Sequence, residues 1–285
     1  MRRDLNIGTT WLLPEWSAGP RGDELEVLEV AKATGYQGIQ GADAGRCREL
    51  GLVPTTSDIR PTPGGLTEAA RRWFDQGYEC ATLMVGTGLE DDDAADRLVD
   101  EVLSASSTTG LPLYIETHRA TITQDLWRTL RLVDRHPEMR FNGDFSHWYV
   151  SHDFGMVDFL ALLETLRPVL ERVRYLHGRI ASSGCIQIEV QASNASAAPV
   201  SHFRQLWQLS FEAFLTAARN EDELEPCSSF GFAPELLPSE FGYAQLVDDG
   251  AGNLTEGSDR WEQALILCDI AEECFGAAAS KVVAT

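Results

Sequence analysis

The sequence has no run of about 18 apolar residues, the length that marks a membrane-crossing helix, so no membrane partner is expected. Its first residues, Met1-Arg2-Arg3-Asp4, lead into a strand pattern rather than a signal-type apolar segment, and the expected location is cytoplasmic. Positive charge is scarce: 23 Lys and Arg stand against 44 Asp and Glu, a formal net charge of −21. Such a surface repels a phosphate backbone over most of its area, which argues against nucleic acid as a partner. Cysteine is sparse as well. The six, Cys47, Cys80, Cys185, Cys227, Cys268 and Cys274, lie far apart without a CxxC pair and read as reduced thiols. A phosphate-binding glycine fingerprint is also missing. Gly8-Thr9-Thr10-Trp11 is not one, and Gly86-Thr87-Gly88 lacks its third glycine, which weighs against a doubly wound open sheet.

Apolar residues are plentiful, at 44% of the 285, enough for a large core. They are distributed as strand patterns alternating with helical ones. Strands are expected at Leu5–Leu12, Gly38–Asp43, Leu52–Ile59, Tyr78–Val85, Leu111–Glu116, Met139–Asp144, Val173–His177 and Pro226–Ala233. Helices are expected at Asp23–Thr34, Cys47–Leu50, Leu66–Gln76, Asp91–Ser106, Thr123–His136, Asp158–Val173, Phe203–Ala218 and Asp259–Phe275, with a long loop at about 181–201. Eight strand-then-helix units without a linker-like break in composition predict an α/β chain folded as a single (β/α)8 TIM barrel over 1–285. The acidic run Glu90-Asp91-Asp92-Asp93 sits where a helix begins, and negative charge there complements the helix dipole.

Four of the expected strands end alike. Leu113-Tyr114-Ile115 delivers Glu116, with His118 two residues on. Met139 to Gly143 delivers Asp144, with His147 three residues on. Val173 to Leu176 delivers His177, with Arg179 following, and Phe230 to Pro234 delivers Glu235. Taken singly, a strand-end carboxylate is more often a helix cap or a surface charge, and a lone histidine a hydrogen-bonded core residue. In a barrel, however, strand ends open on one face, so residues of units five to eight converge. Glu116, Asp144, His177 and Glu235 then make a set suited to one divalent ion, and residue type does not choose among manganese, zinc, magnesium and cobalt. Trp11, Trp16, Trp148 and Tyr149 follow strands and could stack on a ligand at the mouth or cap the barrel. His152 lies where it could line that mouth. Arg60 and Arg119 follow strands as well, whereas His136 and His202 fall at helix ends and read as structural. Cys185 has no evident base.

At the motifs IETH, GDFSHW, LHGR and FAPEL the sequence resembles the xylose-isomerase-like TIM-barrel superfamily, in particular proteins called sugar phosphate isomerase/epimerase, over nearly its whole length. The resemblance implies that Glu116, Asp144, His177 and Glu235 are metal ligands, and that Glu116 and Glu235 double as the acid/base pair. It further implies that His147 contacts substrate beside the metal, that His118 is a pocket histidine and that Arg179 is the basic residue of the site. Gly184-Cys185-Ile186-Gln187 departs from the epimerases of this group.

The expected activity is therefore a metal-dependent isomerase or epimerase acting on a sugar, cyclitol or related polyol carbonyl compound, with one divalent metal ion as cofactor. A divalent ion chelating a carbonyl and its neighbouring hydroxyl acidifies the C–H between them, and proton removal by one carboxylate with return by another inverts the centre. His147 and Arg179 would donate to the developing oxyanion, and Trp148 and Trp11 would line the substrate. A dehydratase of the inosose type begins with the same proton abstraction and is the alternative. A non-catalytic sugar-binding barrel would not need the acid/base pair. An endonuclease IV-like phosphodiesterase draws histidines from early strands, whereas the first histidine here is His118. The expected partner is a small polyol or sugar-like molecule, and a homo-oligomer is compatible with the sequence.

Overall fold

A computed structural model describes residues 1–219 and 229–284. Eight parallel strands close into a barrel: β1 (Arg2–Asn6), β2 (Gly38–Gln40), β3 (Val53–Arg60), β4 (Ala81–Val85), β5 (Leu113–Glu116), β6 (Phe141–Gly143), β7 (Val173–His177) and β8 (Gly231–Ala233), with β8 pairing back onto β1. The fold expected from the alternating pattern is the fold observed. Around the strands run α1 (Glu24–Ala33), α2 (Ala44–Glu49), α3 (Leu66–Gln76), α4 (Asp92–Thr109), α5 (Leu126–Arg135), α6 (Phe145–Ser151), α7 (Phe159–Leu170), α8 (Ala198–Arg219) and α9 (Arg260–Ala284). Aspartate opens most of them. Asp23, Asp43, Asp91, Asp125 and Asp158 each accept a backbone N–H of the first turn, so part of the acidic excess is spent on helix capping. None of the described helices is long and apolar enough to cross a membrane.

The main hydrophobic core lies between strands and helices and joins Leu5, Ile39, Leu83, Ile115 and Leu176 to helix residues such as Val99, Leu166 and Phe211. Inside the barrel the packing is of another kind. Tyr175 of β7 donates to Asp4 Oδ2 of β1 at 2.9 Å and lies 3.3 Å from Thr55 Oγ1 of β3. These strands are not neighbours, so the contacts cross the interior. Arg2 holds Asp4 through two bonds of 2.6 and 2.8 Å and also pairs with Glu79. Glycine makes room for this layer, since a Cβ at Gly38 would collide with Asp4 and one at Gly231 with the Tyr175 ring. One level up, Gln40 of β2 donates to Thr82 of β4 at 3.2 Å, and Asn142 of β6 reaches the same hydroxyl at 3.2 Å. The interior is thus a hydrogen-bonded polar column in which Cys80, Tyr114, Tyr175 and Ala233 form a small apolar cluster.

Some elements differ from the sequence expectation. The first strand is Arg2–Asn6 instead of Leu5–Leu12, because the Asn6 side chain accepts the Gly8 N–H at 2.9 Å and turns 7–10 into a 3-10 helix. The long loop ends at 197, since α8 starts at Ala198. Two elements were not anticipated: the short helix α6 and a hairpin of β9 (Leu246–Asp248) with β10 (Leu254–Glu256). α9 runs on to Ala284 through small helix-forming residues rather than stopping at Phe275. Of the expected eighth strand, Pro226 to Ser228 fall outside the described residues, as does Cys227. Cys47, Cys185, Cys268 and Cys274 are free thiols, and Cys80 is buried.

The hairpin is tied down by one cation. Arg260, 1% exposed, pairs with Glu256 at 2.7 Å and donates to the carbonyls of Thr9 and Trp11, each at 2.7 Å. The loop after β1, the hairpin after β8 and the start of α9 are fastened together at the rim through this guanidinium.

Removing one member of a buried ion pair strands its partner, whereas an exposed pair contributes little. Asp4→Ala should therefore destabilise the protein by about 3–5 kcal/mol. Arg3→Ala, which breaks the more exposed pairs to Asp269 and Glu272, should cost less than about 1 kcal/mol. Urea unfolding of both variants checks this, and equal losses would show that the interior column does not carry stability.

Candidate metal centre

Glu116 is the last residue of β5 and His177 the last of β7. Asp144 directly follows β6 as the N-cap of α6, and Glu235 lies two residues beyond β8. A ligand-type atom from each of the four meets the others within 4.8 Å. Glu116, Asp144 and His177 are at most 2% exposed, and the Glu235 side chain is 17% exposed. The sequence placed these residues at the ends of successive strands, and barrel closure brings them together.

Each is held by its surroundings. Asp144 Oδ1 accepts from the Ser146 amide at 3.0 Å and the Ser146 hydroxyl at 2.5 Å, so that Oδ2 is the oxygen turned to Arg179. The backbone around Glu116 is fixed by Thr123, whose hydroxyl donates to the Glu116 carbonyl at 2.6 Å. Glu235 accepts from Asn6 Nδ2 at 3.0 Å. Its chain neighbours are pinned by Thr9, which bonds both Pro234 O and Leu236 N at 3.0 Å, and by the two bonds of Gln187 to Leu237. Gly184 to Gln187, the stretch that departs from the epimerases, therefore docks against the segment carrying Glu235.

His177 reports most directly on what the cluster suits. Its Nε2 lies 2.7 Å from Gln40 Oε1, an oxygen that also accepts from Asn6 Nδ2 at 2.8 Å. That oxygen can only accept, so the proton of a neutral His177 sits on Nε2 and Nδ1 carries a lone pair. Nδ1 is buried without a hydrogen-bond partner, 3.5 Å from Glu116 Oε1 and 3.4 Å from Glu235 Oε2. A buried, unpartnered nitrogen facing carboxylates, with its ring fixed by an acceptor behind it, is the arrangement of a metal-ligating histidine. Burial opposes charge on this ring, but the Glu235 and Glu116 carboxylates outweigh it and raise the pKa to about 10. Proton and cation thus compete for one nitrogen.

Charge counting agrees. Arg179, fully buried, bonds Asp144 Oδ2 at 2.6 Å and pairs with Glu235. Three carboxylates against one guanidinium leave two negative charges, which matches a divalent ion. Burial raises the pKa of Glu235, but the His177 and Arg179 charges prevail and hold it well below the ordinary range, so this carboxylate stays ionised.

His147 and His118 lie beside the four, with ring centroids 3.9 Å apart. His147 Nε2 is 3.5 Å from Asp144 Oδ2, yet neither ring nitrogen has a hydrogen-bond partner. Burial, reinforced by His118 and the nearby arginines, pushes its pKa well below the usual value and keeps the ring neutral. Tyr243, just before the hairpin, was not singled out from the sequence. Its ring lies 4.4 Å from the Arg179 guanidinium carbon, 5.2 Å from that of Arg119 and edge-on to His147 at 6.4 Å. Asn6 and Gln40 were missed too, although they share a register position at the ends of β1 and β2.

The aromatic expectations divide. Trp148 does not face the site: it is fully buried, and its indole N–H donates to Thr123 O at 2.7 Å, a core anchor of α6. Tyr149 is equally buried, with its hydroxyl 3.0 Å from His202 Nδ1. For Trp148 this corrects the expected substrate contact, and for Tyr149 it answers the open choice between ligand stacking and packing; the cause is the unanticipated helix, which turns both side chains into the core. Trp11 is 48% exposed and packs edge-on against Phe241, while Trp16, 51% exposed, donates to Thr255 at 3.0 Å. Arg60 pairs with Asp58, and His136 with Asp96 and Asp100. His202 stacks on Phe159 at 3.7 Å. His152 is the C-cap of α6.

No family model matches the sequence, and no curated protein matches it. Solved structures do match in shape. A xylose isomerase-like TIM barrel protein from Mycobacterium smegmatis, in complex with magnesium, superposes with a TM-score of 0.58 at 14% identity, covering 98% of this chain and 97% of its own. The probable 3-DHS dehydratase AsbF of Bacillus anthracis gives 0.53 at 16% identity, over 82% and 92%. Endonuclease IV from Thermus thermophilus gives 0.53 at 15% identity, over 96% and 100%. At these identities the likeness concerns the fold, which accommodates both a probable dehydratase and an endonuclease. The chain shares the closed (β/α)8 fold of the xylose isomerase-like TIM barrel proteins.

Proposed function

We propose that this chain is a divalent-metal-dependent isomerase or epimerase acting on a sugar, cyclitol or related polyol carbonyl compound. The observation that carries the reading is His177 Nδ1, without a hydrogen-bond partner, among three carboxylates whose charge Arg179 offsets only in part. Glu116, Asp144, His177 and Glu235 would hold the ion. Magnesium and manganese suit the carboxylates and zinc or cobalt the imidazole, and the magnesium in the Mycobacterium smegmatis structure supports the first pair. When bound, the ion acts as a Lewis acid toward vicinal carbonyl and hydroxyl oxygens and acidifies the C–H between them.

The protein's own groups supply the rest. Glu116 and Glu235 come from β5 and from beyond β8 and approach His177 Nδ1 separately. Each carboxylate has two oxygens. One can remove the proton and the other return it on the opposite side, which inverts the carbon. Arg179 and the neutral His147 have N–H groups unused by the rest of the protein and can donate to an oxygen gaining negative charge. With the ion present, the charges of the four ligands and Arg179 cancel, which suits an uncharged polyol better than a strongly charged substrate. The similarity to a dehydratase supports a second reading, in which the same proton removal is followed by loss of a β-hydroxyl.

Incubation with keto-sugars and inososes in deuterated water should give solvent deuterium in recovered substrate, without a dehydrated ultraviolet-absorbing product. Chelation should stop exchange, and Glu235→Gln should slow it at least about 100-fold. Cys274→Ala, in the buried face of α9, should leave it intact. Undiminished exchange in metal-stripped protein would remove the mechanism.

The proton on His177 sets the pH dependence. Its pKa is raised from 6.5 to about 10, so its stabilising effect on the metal-free protein is complete below about pH 6.5 and lost as pH rises through 10. Ion uptake must displace that proton, and affinity should rise by up to about tenfold per pH unit below pH 10. The increase in melting temperature on adding manganese should accordingly be larger at pH 8 than at pH 6. An increase independent of pH would place the ion away from His177.

A further inference from the structure

We propose that the β9–β10 hairpin and the loop after β1 form the face through which two copies of this chain associate, with β9 of each lying along β9 of the other. Trp11, Leu12, Phe241, Leu246, Val247 and Leu254 are 46% to 69% exposed. They make one patch. Trp11 packs edge-on against Phe241, and Trp16 donates to Thr255, which pairs with Val247. Arg260 bonds the carbonyls of Trp11 and Leu12 while holding Glu256 of β10.

Its size points to a protein surface as the occupant. Half-exposed aromatic side chains of about 150–250 Å² each, with the aliphatic ones beside them, add up to several hundred Å². The largest apolar patch on a typical monomer is about 300–600 Å², and a stable dimer needs about 800 Å² per copy from apolar and polar atoms together. The patch supplies much of that. Leu12 is also held at a φ of +49°, a conformation costly for leucine, and the strained turn displays its side chain to solvent.

The backbone selects a second copy as the partner. All three residues of β9 are exposed, so the hairpin stands away from the barrel, and two strands alone are marginal in water. Gly257 N–H bonds Gln245 O, and Asp249 N–H bonds Asn253 O. Bonded pairs alternate along an antiparallel ladder, which turns the N–H and C=O groups of Leu246 and Asp248 outward. Such an edge is a template for another strand. A twofold axis beside β9 joins two identical hairpins into one four-stranded antiparallel sheet. The net charge of −21 opposes contact elsewhere, but here the acidic side chains are engaged locally: Asp248 and Asp249 accept turn amides, and Glu256 pairs with Arg260. Tyr243 follows Phe241 by two residues, so the same contact steadies the ring that lies against Arg179.

The inference stands apart from the metal centre and is tested without an ion. Sedimentation of the chelator-treated full chain at graded concentrations should give a mass near twice 31.4 kDa. Salt should strengthen association, because it screens the repulsion between copies. Val247→Asp sets two like charges across the axis and should raise the dissociation constant at least about 100-fold. Leu246→Pro removes an outward N–H that the hairpin itself does not use and should also give a monomer. Both positions are exposed, and either variant suffices if the other fails to fold. Leu89→Asp, at an exposed residue after β4 across the barrel, should remain dimeric. A monomer at every concentration, a dimer that survives either folded variant, or association weakened by salt would overturn the proposal. A monomer whose tryptophan emission shifts with maltotriose would overturn it too, assigning the patch to a glycan.

Discussion

Three carboxylates whose oxygens approach one histidine nitrogen within a few ångströms, at a largely buried barrel end, repel one another strongly unless positive charge lies among them. Repulsion between unit charges scales inversely with the local dielectric, and few counter-charges from solvent reach such a place. Arg179 supplies part of the compensation and a proton on His177 another part. A divalent ion would replace the latter. Much of the architecture near the mouth follows from this requirement. Gln40 fixes the histidine ring, Ser146 takes one oxygen of Asp144 so that the other turns inward, and Asn6 engages Glu235.

The demand extends down the barrel. A β-barrel interior is ordinarily filled by branched apolar side chains, but an apolar plug beneath the cluster would offer no donors or acceptors to orient it. Here Gln40 connects the metal-centre histidine to Thr82, Asn142 binds the same hydroxyl, and the floor is closed by Arg2, Asp4 and Tyr175. Small residues beside large ones, Gly38 and Gly231 against Asp4 and Tyr175, leave the room this column needs. Such a network is favourable only when nearly every member is satisfied, and its nearly complete pairing gives the ligands above it defined positions.

The barrel and the four strand-end residues were legible because both follow from periodicity. A ligand at the end of a parallel strand repeats once per unit, and closure of the sheet converts that repeat into proximity. What escaped was whatever depends on contacts between units. Trp148 and Tyr149 looked like mouth residues until α6 turned them into the core. Asn6 and Gln40 carry no motif, since their function arises from pairing across the interior with residues far along the chain. Tyr243 lies in a segment of low hydrophobicity whose hairpin is held by Arg260 through carbonyls of the loop after β1. No local pattern encodes a guanidinium that gathers three segments. The early stop assigned to α9 has another cause: its tail is rich in alanine, with little amphipathic contrast to read.

The residues that hold an ion and the residues that select a reaction need not coincide. Strand-end carboxylates and a histidine answer a demand common to many reactions, the support of a divalent charge in a buried place, and for that reason they say little about which bond changes. Discrimination belongs to groups one step outward. On the proposed reading these would be His118 and His147 with their close rings, and Tyr243 with the guanidinium groups of Arg179 and Arg119 against its ring. None of them lies in a strand, and Tyr243 is positioned by a hairpin that the barrel itself does not require. A cluster neutralised by a bound ion, under a rim that carries Arg119, would be an asymmetric environment. On the proposed reading it would favour a ligand whose reacting end is uncharged and whose outer end can accept hydrogen bonds, and this gradient depends on the loops rather than on the cylinder they cover.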